Sequence, residues 1–183
     1  VISSTKHEVI ARLKADPGLG QIKFAPGDRL GFVVNTDTNT VYIIDAALNR
    51  IIQKAAVEKG PDQLAFTSKL AYVRHRDSEI VLMIPLNEVG SEGKSVPVVD
   101  FPGGQNPFGK TSRPSLADSI IPSAEDSAVL VANPADKTIY YYQEGMAAPM
   151  GNFSNYGREP RAVRIVDRSL RERKPGSYLS IAR

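Results

Sequence analysis

A chain of 183 residues is long enough to bury one good hydrophobic core. It contains no cysteine, which excludes disulfides and thiolate metal sites, and no apolar run long enough to span a bilayer. The net charge of +3 is small but uneven: residues 158–183 hold eight Arg or Lys against three acids, a balance of +5, so the remainder stands at about −2.

Taken in order, residues 1–16 read as the end of a preceding unit. They comprise the close of a third strand, a turn at Ser4 to His7 and an outer fourth strand at Glu8 to Leu13. A helix over 7–14 is the rival reading, cut short by Asp16-Pro17-Gly18. Residues 17–60 then spell strand, turn, strand, tight turn and strand. The segments are Ile22-Lys23-Phe24, Phe32-Val33-Val34-Asn35, Thr36–Asn39 and Val41–Ile44, with an outer strand near Arg50–Ala56.

The pattern returns twice. Aligning Asn35 with His75 and Asn133 brings Tyr72-Val73-Arg74 and Leu130-Val131-Ala132 into register with Phe32-Val33-Val34. It also aligns Val81–Ile84 and Ile139–Tyr142 with Val41–Ile44. Residues 61–117 form the second unit. Its outer strand is expected at Val96–Phe101, where Pro97 is tolerable on an edge, and a Gly/Pro-rich insertion occupies 87–117. Residues 118–157 form the third unit, with its last strand poorly marked and an irregular stretch from Gly145 to Gly157.

The third strand of each unit is apolar at consecutive positions, so both faces of each small sheet are covered. That arrangement predicts an all-β fold. It consists of β-propeller blades, each a four-stranded antiparallel meander, in an incomplete ring of three full blades with partial elements at both ends. The first two anchors lie 40 residues apart, within the blade period, and the insertion accounts for the second gap of 58. The absence of Trp argues against the WD-type repeat.

Residues 158–183 leave two alternatives open. Arg161–Val166 alternates, and Pro175-Gly176 turns into Ser177-Tyr178-Leu179-Ser180-Ile181. This is either a partial fourth blade or the start of an immunoglobulin-like sandwich. Strand edges left open at both ends need covering. The cover would come from pairing of the two half-blades, from a second copy closing a ring, from another chain, or from residues beyond this sequence. The last is favoured here. The chain does not begin with Met and shows no signal peptide, which reads as a processed chain or a piece of a longer one.

The stretch Gly60-Pro61-Asp62-Gln63-Leu64-Ala65-Phe66-Thr67-Ser68-Lys69-Leu70-Ala71-Tyr72-Val73 resembles the repeat of YVTN-type β-propellers, as do Gly27–Asn35 and Val129–Asn133. The resemblance covers residues 1 to about 145. Relatives of this type include surface-layer-like binding proteins, lactonase-like enzymes and the haem domain of cytochrome cd-type nitrite reductases. It implies an exported, periplasmic or secreted protein. Blade two departs from the pattern in carrying Arg74-His75 where small or polar residues are usual.

No catalytic motif is present: no P-loop, Gly-x-Ser-x-Gly, His-Glu-x-x-His or calcium loop. Gly103–Ser112 has the wrong spacing for a phosphate loop, and Pro107 removes a donor. Asp28, Asp37, Asp45, Asp77, Asp126 and Asp136 fall at turns, which Asp caps through its side chain. His7 lies in a predicted turn. Arg74, His75, Arg76 and Asp77 remain as the candidate ligand or anion site, since a charge at an otherwise apolar repeat position points to a mouth or pocket. Haem ligation through His75 is the alternative cofactor reading, with no cofactor the primary one. The ordinary reading of the cluster is an ion-paired strand end beside Asp77 or Glu79. Met146, Met150, Phe153 and Tyr156 form the candidate protein-partner surface, unless they pack under the adjacent sheet. The basic C-terminal stretch is broken by prolines and acids and lacks interleaved aromatics, so no nucleic-acid partner is expected. The expected function is a non-enzymatic scaffold or interaction module within a larger chain or complex.

Overall fold

Runs of Val, Ile, Tyr and Phe become strands, and clusters of Asn, Asp, Thr and Gly become the reversals between them. The computed structural model describes residues 1–109, 117–125, 127–166 and 170–180. Asp126, Lys110 to Ser112 of the glycine-rich stretch, and Asp167, Arg168, Ile181 and Arg183 of the C-terminal stretch lie outside the described residues.

Among the described residues, three four-stranded antiparallel sheets each run in sequence order. Blade one holds β1 (Leu19–Phe24), β2 (Leu30–Asn35), β3 (Thr40–Asp45) and β4 (Arg50–Ala56). Blade two holds β5 (Pro61–Phe66), β6 (Leu70–His75), β7 (Ile80–Pro85) and β8 (Val99–Pro102). Blade three holds β9 (Ile120–Pro122), β10 (Ala128–Asn133), β11 (Thr138–Gln143) and β12 (Gly151–Ser154). The first strands of the blades neighbour one another, β1 beside β5 and β5 beside β9. They therefore stand at a common axis, and the fourth strands lie at the rim. A separate hairpin, β13 (Leu170–Lys174) and β14 (Ser177–Ser180), turns at Pro175-Gly176. Gly176 takes φ 75°, the left-handed conformation that a type II turn requires after proline.

The expected covering of both sheet faces by neighbouring blades is present for blade two. Alternate residues of each strand point to opposite sides. Phe32, Val34, Val41 and Ile43 of blade one pack on Leu64, Ala71, Val73, Leu82 and Ile84 of blade two. On its other side blade two presents Ala65, Tyr72, Val81 and Phe101 to Ile120, Val129, Val131, Tyr140 and Tyr142 of blade three. The rings of Phe101 and Tyr142 lie 4.6 Å apart, which locks the rim half of this contact.

Four local expectations are corrected. Residues 1–16 form neither a fourth strand nor a helix. They make a loose loop closed by a single bridge, Ile2 to Val9, because no neighbouring strand offers them a ladder. The outer strand of blade two starts at Val99, not Val96: Pro97 has no N–H to donate. The stretch Gly145–Gly157 is not wholly irregular, since β12 pairs with β11 along Gly151–Ser154. Arg161–Val166 forms no strand despite its alternation, which shows that period two needs a partner strand to become structure.

The N-terminal segment is tied to blade one through polar groups. Asn35 Nδ2 donates to the carbonyls of Asp16 and Pro17, and Tyr42 Oη donates to Asp16 Oδ2 at 2.6 Å. Tyr42→Phe is expected to lower stability by about 1 kcal/mol in urea denaturation, the worth of one such bond.

Candidate functional site

The four residues singled out in blade two do not converge on one pocket. Arg74 and His75 are successive residues of β6, so their side chains leave opposite faces of the sheet.

Arg74 points toward blade three. Its Nη1 donates to Asp62 Oδ2 at 2.7 Å, and its guanidinium lies 4.3 Å over the ring of Phe108. Both members of the pair are buried, with side-chain exposures of 6% and 11%. Asp62 stands at an irregularity of β5 between Pro61 and Gln63, which turns its carboxylate toward Arg74. Burial pushes the Asp62 carboxyl up to about 6, although Arg74 and Arg76 pull the other way. Burial likewise lowers Arg74, against the pull of Asp62. Loss of hydration outweighs attraction for both partners. The expected ion-paired strand end is thus present: Arg76 lies beside Asp77 as expected, and Arg74 pairs with Asp62, which was not foreseen.

This pair also anchors the insertion. Phe108 is wholly buried between blades two and three, under Arg74. The same loop is held from blade three: Asn133 Nδ2 donates to Asn106 O, while Asp136 accepts from Gln105 N and Asn106 Nδ2.

His75 occupies the Asn position of the repeat. In blades one and three that Asn caps the turn with its side-chain oxygen. Asn35 accepts from the amides of Asp37 and Thr38, and Asn133 from those of Ala135 and Asp136. An imidazole has no such oxygen. His75 Nδ1 instead lies 2.9 Å from Ile80 O, so Nδ1 carries the proton and Nε2 holds the lone pair. Nε2 is buried with no hydrogen-bond partner among the described residues. Burial lowers the His75 pKa to about 4, with Arg74 pushing the same way and the Ile80 carbonyl opposing. The ring is neutral near pH 7. Such a nitrogen is chemically the kind that ligates haem iron, yet it has no solvent-accessible surface here.

Arg76 and Asp77 sit at the following turn. Arg76 Nε lies 3.7 Å from Asp77 Oδ2, an ionic contact too long for a hydrogen bond. His7 lies in an exposed turn at φ 55°.

The partner candidates lie at the rim of blade three. Met146 and Met150 precede β12, Phe153 is within it and Tyr156 follows it. None packs under a sheet: Phe153 is 57% exposed and Tyr156 95%.

A polar cluster at the axis was missed from sequence. Lys23 Nζ reaches from blade one to Asp118 Oδ1 of blade three at 2.7 Å, joined by Gln21 Nε2 at 3.3 Å. Gln21 Oε1 accepts from Leu64 N, and Gln63 Oε1 accepts from Ser119 N and Oγ. Each glutamine therefore bridges its blade to the next. The legible signal was the repetition of Gln one residue before Ile22 and Leu64. Lys23→Met is expected to cost under about 1 kcal/mol, a loss that shrinks in high salt, because the pair is one-third exposed. Among the described residues no group of three His, Asp or Glu is placed to hold a metal ion, and no helix is long and apolar enough to cross a membrane.

No protein-family model and no curated protein matches the chain. Solved structures do. Hydrazine synthase of Kuenenia stuttgartiensis aligns at TM-score 0.63 and 19% identity, over 84% of this chain and 40% of that one. A chain of the mitotic checkpoint complex aligns at TM-score 0.64 and 10% identity, over 86% and 44%. The Swd1 β-propeller domain of Myceliophteria thermophila aligns at TM-score 0.56 and 15% identity, over 74% and 43%. The chain spans less than half the length of each. Identities this low speak to fold alone. With three stacked meanders that leave the ring unclosed, they establish the fold of this chain as a partial β-propeller.

Proposed function

We propose that the chain is a non-enzymatic propeller segment, a scaffold or protein-interaction module of a larger assembly outside the cytoplasm. The observation that carries this reading is the apolar margin of blade three, where Met146, Met150, Phe153 and Tyr156 stand exposed around β12. Several conspicuous polar groups, by contrast, have partners within the fold: Arg74 Nη1 with Asp62 Oδ2, Lys23 with Asp118, and the axial glutamines with backbone. The partner is another protein or further sequence of the same polypeptide. The YVTN-type resemblance, with its exported relatives, supports the location, and a cysteine-free composition is compatible with it. The test places a photo-crosslinking side chain at Phe153 or Tyr156 in the native host. Discrete protein adducts are expected, and their absence at both positions overturns the reading.

One observation favours a second reading, a haem-binding or redox domain resembling the nitrite reductase haem domain. His75 keeps a buried, unprotonated Nε2 without a protein partner among the described residues. Haem titration separates the two. A Soret shift that disappears in His75→Ala supports the haem reading, and an unchanged spectrum removes it.

A further inference from the structure

Four polar atoms at one end of blade two are buried without a hydrogen-bond partner among the described residues: Asp62 Oδ1, Arg74 Nε, Arg76 Nε and Asp77 Oδ1. The fold gathers them. Arg74 meets Asp62 through a single bond, Nη1 to Oδ2, which leaves the other carboxylate oxygen and the Nε edge of the guanidinium at the margins of that contact. The Arg76 charge also acts on the Asp62 carboxylate, so its guanidinium lies nearby. Arg76 N donates to Gly60 O at 2.8 Å, which holds the turn after β6 against the entry to β5. No side chain fits at Gly60, because a Cβ there would stand 2.7 Å from Asp77 Oδ2 and 3.1 Å from Arg76 Cγ. Phe108 closes the side toward blade three, with the Arg74 guanidinium over its ring. His75 Nε2 is also unpartnered among the described residues, but it lies on the opposite face of the sheet and takes no part.

Each of these atoms loses its hydration on folding, a cost that native interiors rarely leave uncompensated. The set itself selects what satisfies it. Arg74 Nε and Arg76 Nε are N–H donors, whereas Asp62 Oδ1 and Asp77 Oδ1 are carboxylate acceptors. An anion would meet both donors but face both carboxylates, and a metal cation the reverse. The fitting occupant is neutral and both donates and accepts. We propose that this end of blade two holds an internal water molecule, which accepts from Arg74 Nε and Arg76 Nε and donates to Asp62 Oδ1 and Asp77 Oδ1. Two lone pairs and two O–H bonds give one water the capacity for all four contacts. The site joins the buried pair that anchors the insertion to the turn after β6, so that strand entry, strand end and insertion share one hydrogen-bond network. It also gives each oxygen of the Asp62 carboxylate its own donor.

The test is a crystal structure of the wild-type chain grown with sodium bromide, at a resolution that shows ordered waters. One peak of water density is expected within about 2.6–3.2 Å of Arg74 Nε and Asp62 Oδ1 and of at least one of the other two atoms, with no anomalous signal from bromide. Bromide in that place would make it an anion site, a side chain of the protein there would make it an internal contact, and no density would make it dry. Each of these three results overturns the proposal. Magnetic relaxation dispersion of the water oxygen reads the same site in solution, by counting waters held for longer than the protein tumbles. Arg74→Met combined with Asp62→Leu removes a donor and an acceptor and fills their space with apolar groups, so the count is expected to fall by about one. An unchanged count in a variant that keeps its β-sheet circular dichroism overturns the proposal, and if the variant unfolds the wild-type crystal structure alone decides.

Discussion

Arg74→Met is expected to lower folding stability by roughly 3–5 kcal/mol at pH 7, the usual penalty for removing one partner of a buried ion pair. The loss has two sources. Asp62 is left in a desolvated site without the guanidinium that offsets its charge, and Phe108 loses the cation above its ring. Adding Asp62→Asn to Arg74→Met is expected to restore most of the stability, because the orphaned charge is gone while the Met still fills the space between blades. The double-mutant cycle in urea denaturation reads this directly. A single-mutant loss under about 1 kcal/mol would show that the pair does not anchor the insertion. The same variant is expected to make the 103–109 loop more open to proteolysis, since Phe108 is pinned beneath Arg74.

The second large effect is a concealed pH dependence. Asp62 has its pKa raised from 3.8 to about 6 in the folded chain. Its contribution to stability is therefore full below about 4 and is lost as pH rises through 6. His75 has its pKa lowered from 6.5 to about 4. Its contribution is full above 6.5 and is lost as pH falls toward 4. Each shift is worth about 3 kcal/mol, and between pH 4 and 6 the two slopes oppose and nearly cancel. Removing either group uncovers the other. Relative to wild type, His75→Asn is expected to gain stability on going from pH 6 to pH 4, and Asp62→Asn to lose it, each by about 3 kcal/mol. Denaturation midpoints of the three proteins across that range decide it. Parallel curves would mean that neither group titrates as its burial demands. Asn is the instructive replacement at position 75, because it restores the side-chain oxygen with which Asn35 and Asn133 cap their turns.

The repeat was legible in the sequence because its physics is local. Turn residues at fixed offsets from Asn35, His75 and Asn133, with strands apolar at consecutive positions, call for meanders stacked face to face, and that is the architecture observed, with blade two covered on both sides. Position 75 was also recognisable as a departure from the pattern. Its meaning was not, because Arg74 and His75 are adjacent in sequence but emerge on opposite faces of β6. Which charge meets Arg74 depended on the irregularity in β5 that brings Asp62 round, 12 residues away. The axial bridge between Lys23 and Asp118 joins residues 95 apart and exists only because three first strands share an axis. Strand formation at the ends was decided the same way: Arg161–Val166 alternates and stays irregular, whereas the unpromising Gly151–Ser154 pairs with β11. Local turn chemistry and side-chain period therefore set the blades. Stacking alone decided which polar groups meet, because those partners come from distant parts of the chain that only the packed sheets bring within bonding distance.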